Sequence, residues 1–128
     1  MNAKTILVTD DEPHMRRLVQ FNLAKLGHRI ETANDGRAAL ARAAAGPIDL
    51  LIIDVVMGDF DGFATLRELR KLPGYTHLPV IMLTARGQSD TRELAEELGV
   101  NVFLTKPFSP IELTKWVRSL LGSVENKA

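Results

Sequence analysis

Five short runs rich in β-branched and aliphatic residues alternate along this chain with stretches of helical periodicity, and that alternation leaves few folds open. The candidate strands are Thr5–Thr9, Arg29–Ala33, Ile48–Ile53, Pro79–Leu83 and Asn101–Leu104. Ile52-Ile53 and Val80-Ile81 sit in continuous apolar runs, the pattern of strands covered on both faces. Arg29-Ile30-Glu31-Thr32 is more polar and alternates, which places it at a sheet edge.

The intervening helices have readable ends. The first opens at Pro13, carries Met15, Leu18, Val19, Asn22 and Leu26 on one stripe, and stops at Gly27. The second runs from about Gly36 to Gly46-Pro47, and the third begins near Gly62 with Phe63, Leu66 and Leu69 on one face. The fourth uses Leu94, Ala95 and Leu98 and ends at Gly99. Ser109-Pro110-Ile111-Glu112 is a capping box for the fifth, whose apolar positions are Leu113, Trp116, Val117, Leu120 and Leu121. Right-handed crossovers reduce the possible strand orders to a few. The expected fold is α/β: a flavodoxin-like (βα)5 doubly wound, five-stranded parallel sheet of order 2-1-3-4-5. Residues 1–122 read as one domain and 123–128 as a frayed tail.

Composition narrows the function. Sixteen basic residues balance sixteen acidic ones, so the basic excess of a nucleic-acid binder is missing. The apolar runs fall well short of the roughly 20 residues that span a bilayer. With no cysteine there is no thiol chemistry and no Cys-ligated zinc, which fits a reducing cytoplasm.

Four of the five strand runs end in a polar residue where the chain emerges over the switch point of the sheet. They deliver Asp10-Asp11, Asp54, Thr84 and, through Thr105, Lys106-Pro107. Singly, each has a bland explanation: a helix cap for Asp10 or Asp11, a turn for Asp54, an ordinary strand residue, a surface cation. Together they carry chemistry. Three crowded carboxylates repel one another and either take up protons or demand a cation. Hard oxygen donors with no Cys and no nearby His suit Mg²⁺. A carboxylate nucleophile, a divalent ion, a lysine and a hydroxyl are the parts for moving a phosphoryl group onto Asp.

The motifs Val8-Thr9-Asp10-Asp11-Glu12, Asp54 with Met57 and Asp61-Gly62, Met82-Leu83-Thr84-Ala85, and Phe103-Leu104-Thr105-Lys106-Pro107-Phe108 match one family in order and spacing. The chain resembles the response-regulator receiver domains (CheY-like) of two-component signalling, over about residues 4–121. The resemblance implies that Asp54 is the phosphoacceptor. It implies that Asp10, Asp11, the Asp54 carboxylate and the backbone carbonyl of Val56 hold Mg²⁺, and that Thr84 and Lys106 contact phosphoryl oxygens. A cis Lys106-Pro107 bond and a switch aromatic at Phe103 follow from it too, with a readout face formed by the fourth helix, fifth strand and fifth helix. The implied partners are a sensor histidine kinase or histidine phosphotransfer protein, and a downstream effector protein or fused output domain, with no direct nucleic-acid or membrane contact. Such a chain is a cytoplasmic signalling switch and not an enzyme acting on an outside substrate.

Some positions depart from the family. Phe103 stands where tyrosine is common, and Gly58 where proline is common. Val56 and Arg86 occupy the positions that help to set phosphate lifetime, and valine can neither donate to nor orient a water. Asn101-Val102 replaces the paired acids of dimerising relatives. His14, His28 and His77 have no ligand spacing and default to surface or helix roles. The competing class is a small phosphohydrolase with an Asp nucleophile, but such enzymes want Asp-x-Asp after the first strand, where this chain has adjacent Asp10-Asp11. A nucleotide or flavin binder is disfavoured because Gly-x-Gly-x-x-Gly and a P-loop are both missing.

Overall fold

The computed structural model describes residues 3–58, 60–85 and 91–122, with Thr91 described by its backbone alone. The strands are β1 (Thr5–Thr9), β2 (Arg29–Ala33), β3 (Leu50–Asp54), β4 (Val80–Ala85) and β5 (Val102–Lys106). The helices are α1 (Pro13–Ala24), α2 (Gly36–Ala45), α3 (Gly62–Leu69), α4 (Thr91–Glu97) and α5 (Pro110–Leu121). All strand pairs are parallel and the order is β2-β1-β3-β4-β5, the expected doubly wound arrangement. The crossover out of β1 goes to β2 on one side, whereas β3 lies on the other, so the sheet reverses direction between β1 and β3.

Strand side chains alternate between two cores, which is why the central runs are apolar throughout. Ile6, Val8, Leu50, Ile52, Ile81 and Leu83 pack with Val19 and Leu23 of α1 and with Leu113 and Val117 of α5. Leu7, Leu51, Ile53, Val80 and Met82 pack on the opposite face with Ala39 and Ala43 of α2, Phe63 and Leu66 of α3 and Ala95 of α4. The polar β2 is the edge strand, and its Glu31 is bridged by the Arg42 guanidinium of α2.

Several boundaries differ from expectation. β3 starts at Leu50 and not at Ile48, because Ile48 and Asp49 are held by other bonds. The Ile48 N–H donates to the Tyr75 hydroxyl, and the Asp49 carboxylate accepts from the Thr5 N–H. β4 and β5 run further, because Thr84 and Ala85 stay in register with Thr105 and Lys106. Two helix stripes are rotated. Leu18 is exposed while Leu23 is fully buried, and Trp116 is exposed while Thr114 is buried with its hydroxyl donating to the Pro110 carbonyl. Of the predicted capping box, the Ser109 oxygen accepts from the Glu112 N–H at 3.4 Å.

Asn101 is a structural residue at the start of β5: its side-chain oxygen accepts from the Val80 N–H and its own N–H donates to the Val80 carbonyl. His28, assigned by default to a surface or helix role, is buried. Its Nδ1 accepts from the Lys4 N–H at 3.0 Å, so Nε2 carries the proton donated to the Gly122 carbonyl at 2.6 Å. Arg86 and residues 123–128 lie outside the described residues. Among the described residues no helix is long and apolar enough to cross a membrane.

Candidate functional site

β1 and β3 are neighbours, and their carboxyl ends place Asp10 and Asp54 side by side at the switch point. One carboxylate oxygen each from Asp10, Asp11 and Asp54 lies within 4.8 Å of the others. Asp10 and Asp54 are buried, while Asp11 is exposed. Lys106, the last residue of β5, donates from Nζ to Asp10 Oδ2 at 3.1 Å and approaches Asp54 Oδ2 at 3.2 Å. The Lys106-Pro107 peptide is cis. A cavity of about 400 Å³ is lined by Asp11, Glu12, Asp54, Val56, Ala85 and Lys106.

Three of the bland explanations fail here. α1 is capped by Glu12 without any side-chain bond, so neither Asp10 nor Asp11 caps it. Asp10 Oδ1 instead accepts from the Glu12 N–H at 3.0 Å. Asp54 is the last strand residue and is not a turn starter. Lys106 is committed to two carboxylates and is no free surface cation.

The electrostatics follow from burial at close quarters. Burial raises the Asp54 carboxyl above its ordinary range; Lys106 opposes this, Asp10 adds to it, and the Val56 N–H bond to the carboxylate lowers it somewhat. Burial on its own would depress the Lys106 ammonium, but Asp54 and Asp10 together outweigh it and raise the group. Lys106 pairs with only two of the three carboxylates, so the cluster retains donor capacity for a hard cation. The residues therefore fit Mg²⁺ by donor chemistry.

The remaining expected residues lie on β4, on β5 and in the loop after β3. Thr84 is buried near the end of β4, one residue beyond the Asp54–Leu83 pair, with its hydroxyl 3.4 Å from the Ala85 carbonyl. Val56 lies on the cavity rim with half its surface exposed. Phe103 of β5 is partly buried, and the Arg92 guanidinium of α4 lies 5.6 Å from its ring centroid.

The loop after Asp54 depends on two glycines. Gly58 has φ of 60°, which proline cannot adopt, so the glycine answers a left-handed turn. At Gly62 a Cβ would sit 2.3 Å from the Asp54 carbonyl oxygen, so only glycine permits the close approach in which its N–H meets the Val55 carbonyl. Asp61 caps α3 by accepting from the Ala64 N–H.

One residue at the site escaped sequence reading. Arg16 of α1 reaches back to donate to the Asp10 carbonyl at 2.7 Å. Nothing local distinguishes Arg16 from its neighbour Arg17. Only the helix axis and phase send one of them towards the β1 terminus.

A parallel doubly wound sheet with clustered carboxylates and a lysine at its switch point defines a class of small signalling domains. The family model of the response regulator receiver domain matches residues 6–118, and this chain belongs to that family. It is 41% identical over 126 residues to a probable transcriptional regulator, ycf27, of Cyanophora paradoxa, covering 98% of this chain and 52% of that one. It is 38% identical to the alkaline phosphatase synthesis transcriptional regulatory protein PhoP of Bacillus subtilis, covering 98% and 51%. The chain thus spans about half the length of these curated relatives.

Among solved structures it is similar to the chemotaxis protein CheY4 of Vibrio cholerae, with TM-score 0.87 and 32% identity over 94% of this chain and 100% of that one. It is also similar to the receiver domain of a Pseudomonas aeruginosa sensor histidine kinase, described with a magnesium ion coordinated in its active site cleft. That likeness has TM-score 0.84 and 30% identity, covering 95% and 100%. The chain is a receiver domain of a response regulator, and the phosphohydrolase alternative is not favoured.

Proposed function

We propose that this receiver domain accepts a phosphoryl group on Asp54 from a phosphohistidine of a sensor histidine kinase or phosphotransfer protein. Asp10, Asp11, the Asp54 carboxylate and the Val56 carbonyl hold Mg²⁺. Bound there, the ion neutralises negative charge on the phosphoryl oxygens. The observation that carries this reading is the convergence of three carboxylates within 4.8 Å, with Lys106 bridging two of them.

In the transfer an Asp54 oxygen forms a bond to phosphorus as the N–P bond of the donor breaks, and that electron pair returns to the imidazole. Lys106 exchanges its contact with Asp54 for a phosphoryl oxygen, and the Thr84 hydroxyl donates to another. Phosphorylation then biases the position of Phe103 and the face formed by α4, β5 and α5. That face passes the signal to a downstream effector protein or fused output domain. The chain is a cytoplasmic switch whose chemistry is confined to its own phosphorylation and dephosphorylation.

The test is incubation with Mg²⁺ and acetyl phosphate, followed by mapping of acid-labile phosphate. Labelling is expected at Asp54 and should vanish in Asp54→Asn. Undiminished labelling of that variant would overturn the assignment.

A further inference from the structure

We propose that Arg16 is a positioning residue for the divalent-cation site, acting through the backbone of Asp10; this rests on reading the acidic cluster as a Mg²⁺ site. Every polar atom of Asp10 is engaged. Its N–H donates to the Ala33 carbonyl at 3.2 Å, and its carbonyl accepts from Arg16 Nη1 at 2.7 Å. Oδ1 accepts from the Glu12 N–H at 3.0 Å, and Oδ2 from Lys106 Nζ at 3.1 Å. The Glu12 carbonyl in turn accepts from the Arg16 N–H at 3.1 Å. Arg16 thus binds the loop at both ends, by side chain at Asp10 and by backbone at Glu12. Asp11 is the residue between them, and it lines the cavity with an exposed carboxylate.

The physical reason for such a clamp is the ion's demand for near-ideal octahedral geometry. A ligand on a loose loop must be ordered when the ion binds, and that entropy is subtracted from affinity. α1 begins without a side-chain cap, so its first turn holds the loop only through the backbone bond to Glu12. Arg16 supplies the hold at the cost of placing a positive charge near a cation site. The two effects have opposite signs, and this makes the inference testable. As a mere charge, Arg16 repels the ion and its removal tightens binding. As a clamp, its removal weakens binding.

The experiment is calorimetric titration of MgCl2 into the metal-free full chain and into Arg16→Gln, Arg16→Lys and Arg17→Gln, with metal-free melting of each recorded in parallel. Arg17→Gln makes the same charge change at an exposed neighbour. Mg²⁺ affinity is expected to fall about tenfold in Arg16→Gln, the scale for lost outer-shell support. It should fall less in Arg16→Lys, and stay level or rise in Arg17→Gln.

Equal affinities in the two glutamine variants overturn the role of Arg16 while leaving the metal site intact. If the unsubstituted chain binds no Mg²⁺, the metal reading and this inference fall together. Should Arg16→Gln not fold, the lysine variant decides: weaker binding than the unsubstituted chain supports the clamp, and equal binding overturns it.

Discussion

As the proposed phosphoacceptor, Asp54 combines two demands that pull against each other, since it must be buried enough to be shielded and charged enough to act as a nucleophile. Its carboxyl is raised first by burial and then by Asp10, with Lys106 opposing. Between the ordinary carboxylate value and the raised one, the folded chain binds more protons than the unfolded chain. Stability of the metal-free fold therefore falls as pH rises through that window, and the cost persists at neutral pH. Asp54→Asn removes the charge at nearly constant volume. It is expected to raise the melting temperature of the metal-free chain at pH 7 by a few degrees. The gain should shrink below about pH 4, where aspartate is largely protonated in either state. A melting temperature at pH 7 equal to or below that of the unsubstituted chain would contradict this account.

The role proposed for Val56 concerns a different quantity. Its side chain sits exposed on the cavity rim, offering no donor or acceptor to an attacking water. Dephosphorylation is expected to be slow and to speed up several-fold in Val56→Asn, read as decay of acid-labile phosphate. An unchanged or slower decay counts against a role for this position.

At the scale of elements, the site is shaped by how strands end and helices begin. β1 is followed directly by Asp10 and β3 ends in Asp54, which puts both buried carboxylates at one edge of the sheet, and β5 carries Lys106 to the same edge by staying in register with β4. α3 approaches so closely that Gly62 lies against the Asp54 backbone. Gly62→Ala forces a methyl into the Asp54 carbonyl and must displace either α3 or the end of β3. The expected cost is roughly 2 kcal/mol in thermal or urea unfolding. Phosphoryl acceptance should drop with it, because Asp54 moves. Full stability and labelling in that variant would show that the loop gives way cheaply.

The opposite end of the sheet is held by other residues. Arg70 donates to the carbonyls of Leu98, Tyr75, Leu78 and Gly99, tying the turn after α3 to the turn after α4. The Tyr75 hydroxyl donates towards the Ala43 and Gly46 carbonyls and accepts from the Ile48 N–H. These staples lie away from the acidic pocket, so the structural and chemical ends of the sheet are separate.

For the whole molecule, an acidic cluster that holds Mg²⁺ as proposed links folding to the cation. An ion that binds the folded chain alone stabilises it by mass action, by about 2.7 kcal/mol at a free concentration one hundred times Kd. Excess Mg²⁺ should raise the melting temperature several degrees and chelation should reverse it, whereas Asp54→Asn should lose most of the response. An identical response in that variant would place the ion elsewhere.

Much of this was legible in the chain itself. The alternating periods determine five strands and five helices, and the continuous apolar runs determine which strands are central, because a strand covered on both faces has no polar side to show. The polar residues closing those runs mark Asp10, Asp11, Asp54, Thr84 and Lys106 as one edge of the sheet. What periodicity leaves open is phase and reach. Leu18 against Leu23, and Trp116 against Thr114, depend on the angle at which each helix meets the sheet. His28 becomes a buried link because the α5 terminus returns to β1. Arg16 meets the Asp10 carbonyl only because α1 sends the side chain that closes its first turn back to the end of β1. Local pattern encodes which face is apolar, but contacts between residues distant in the chain exist only after the elements pack, and tertiary structure alone decided them.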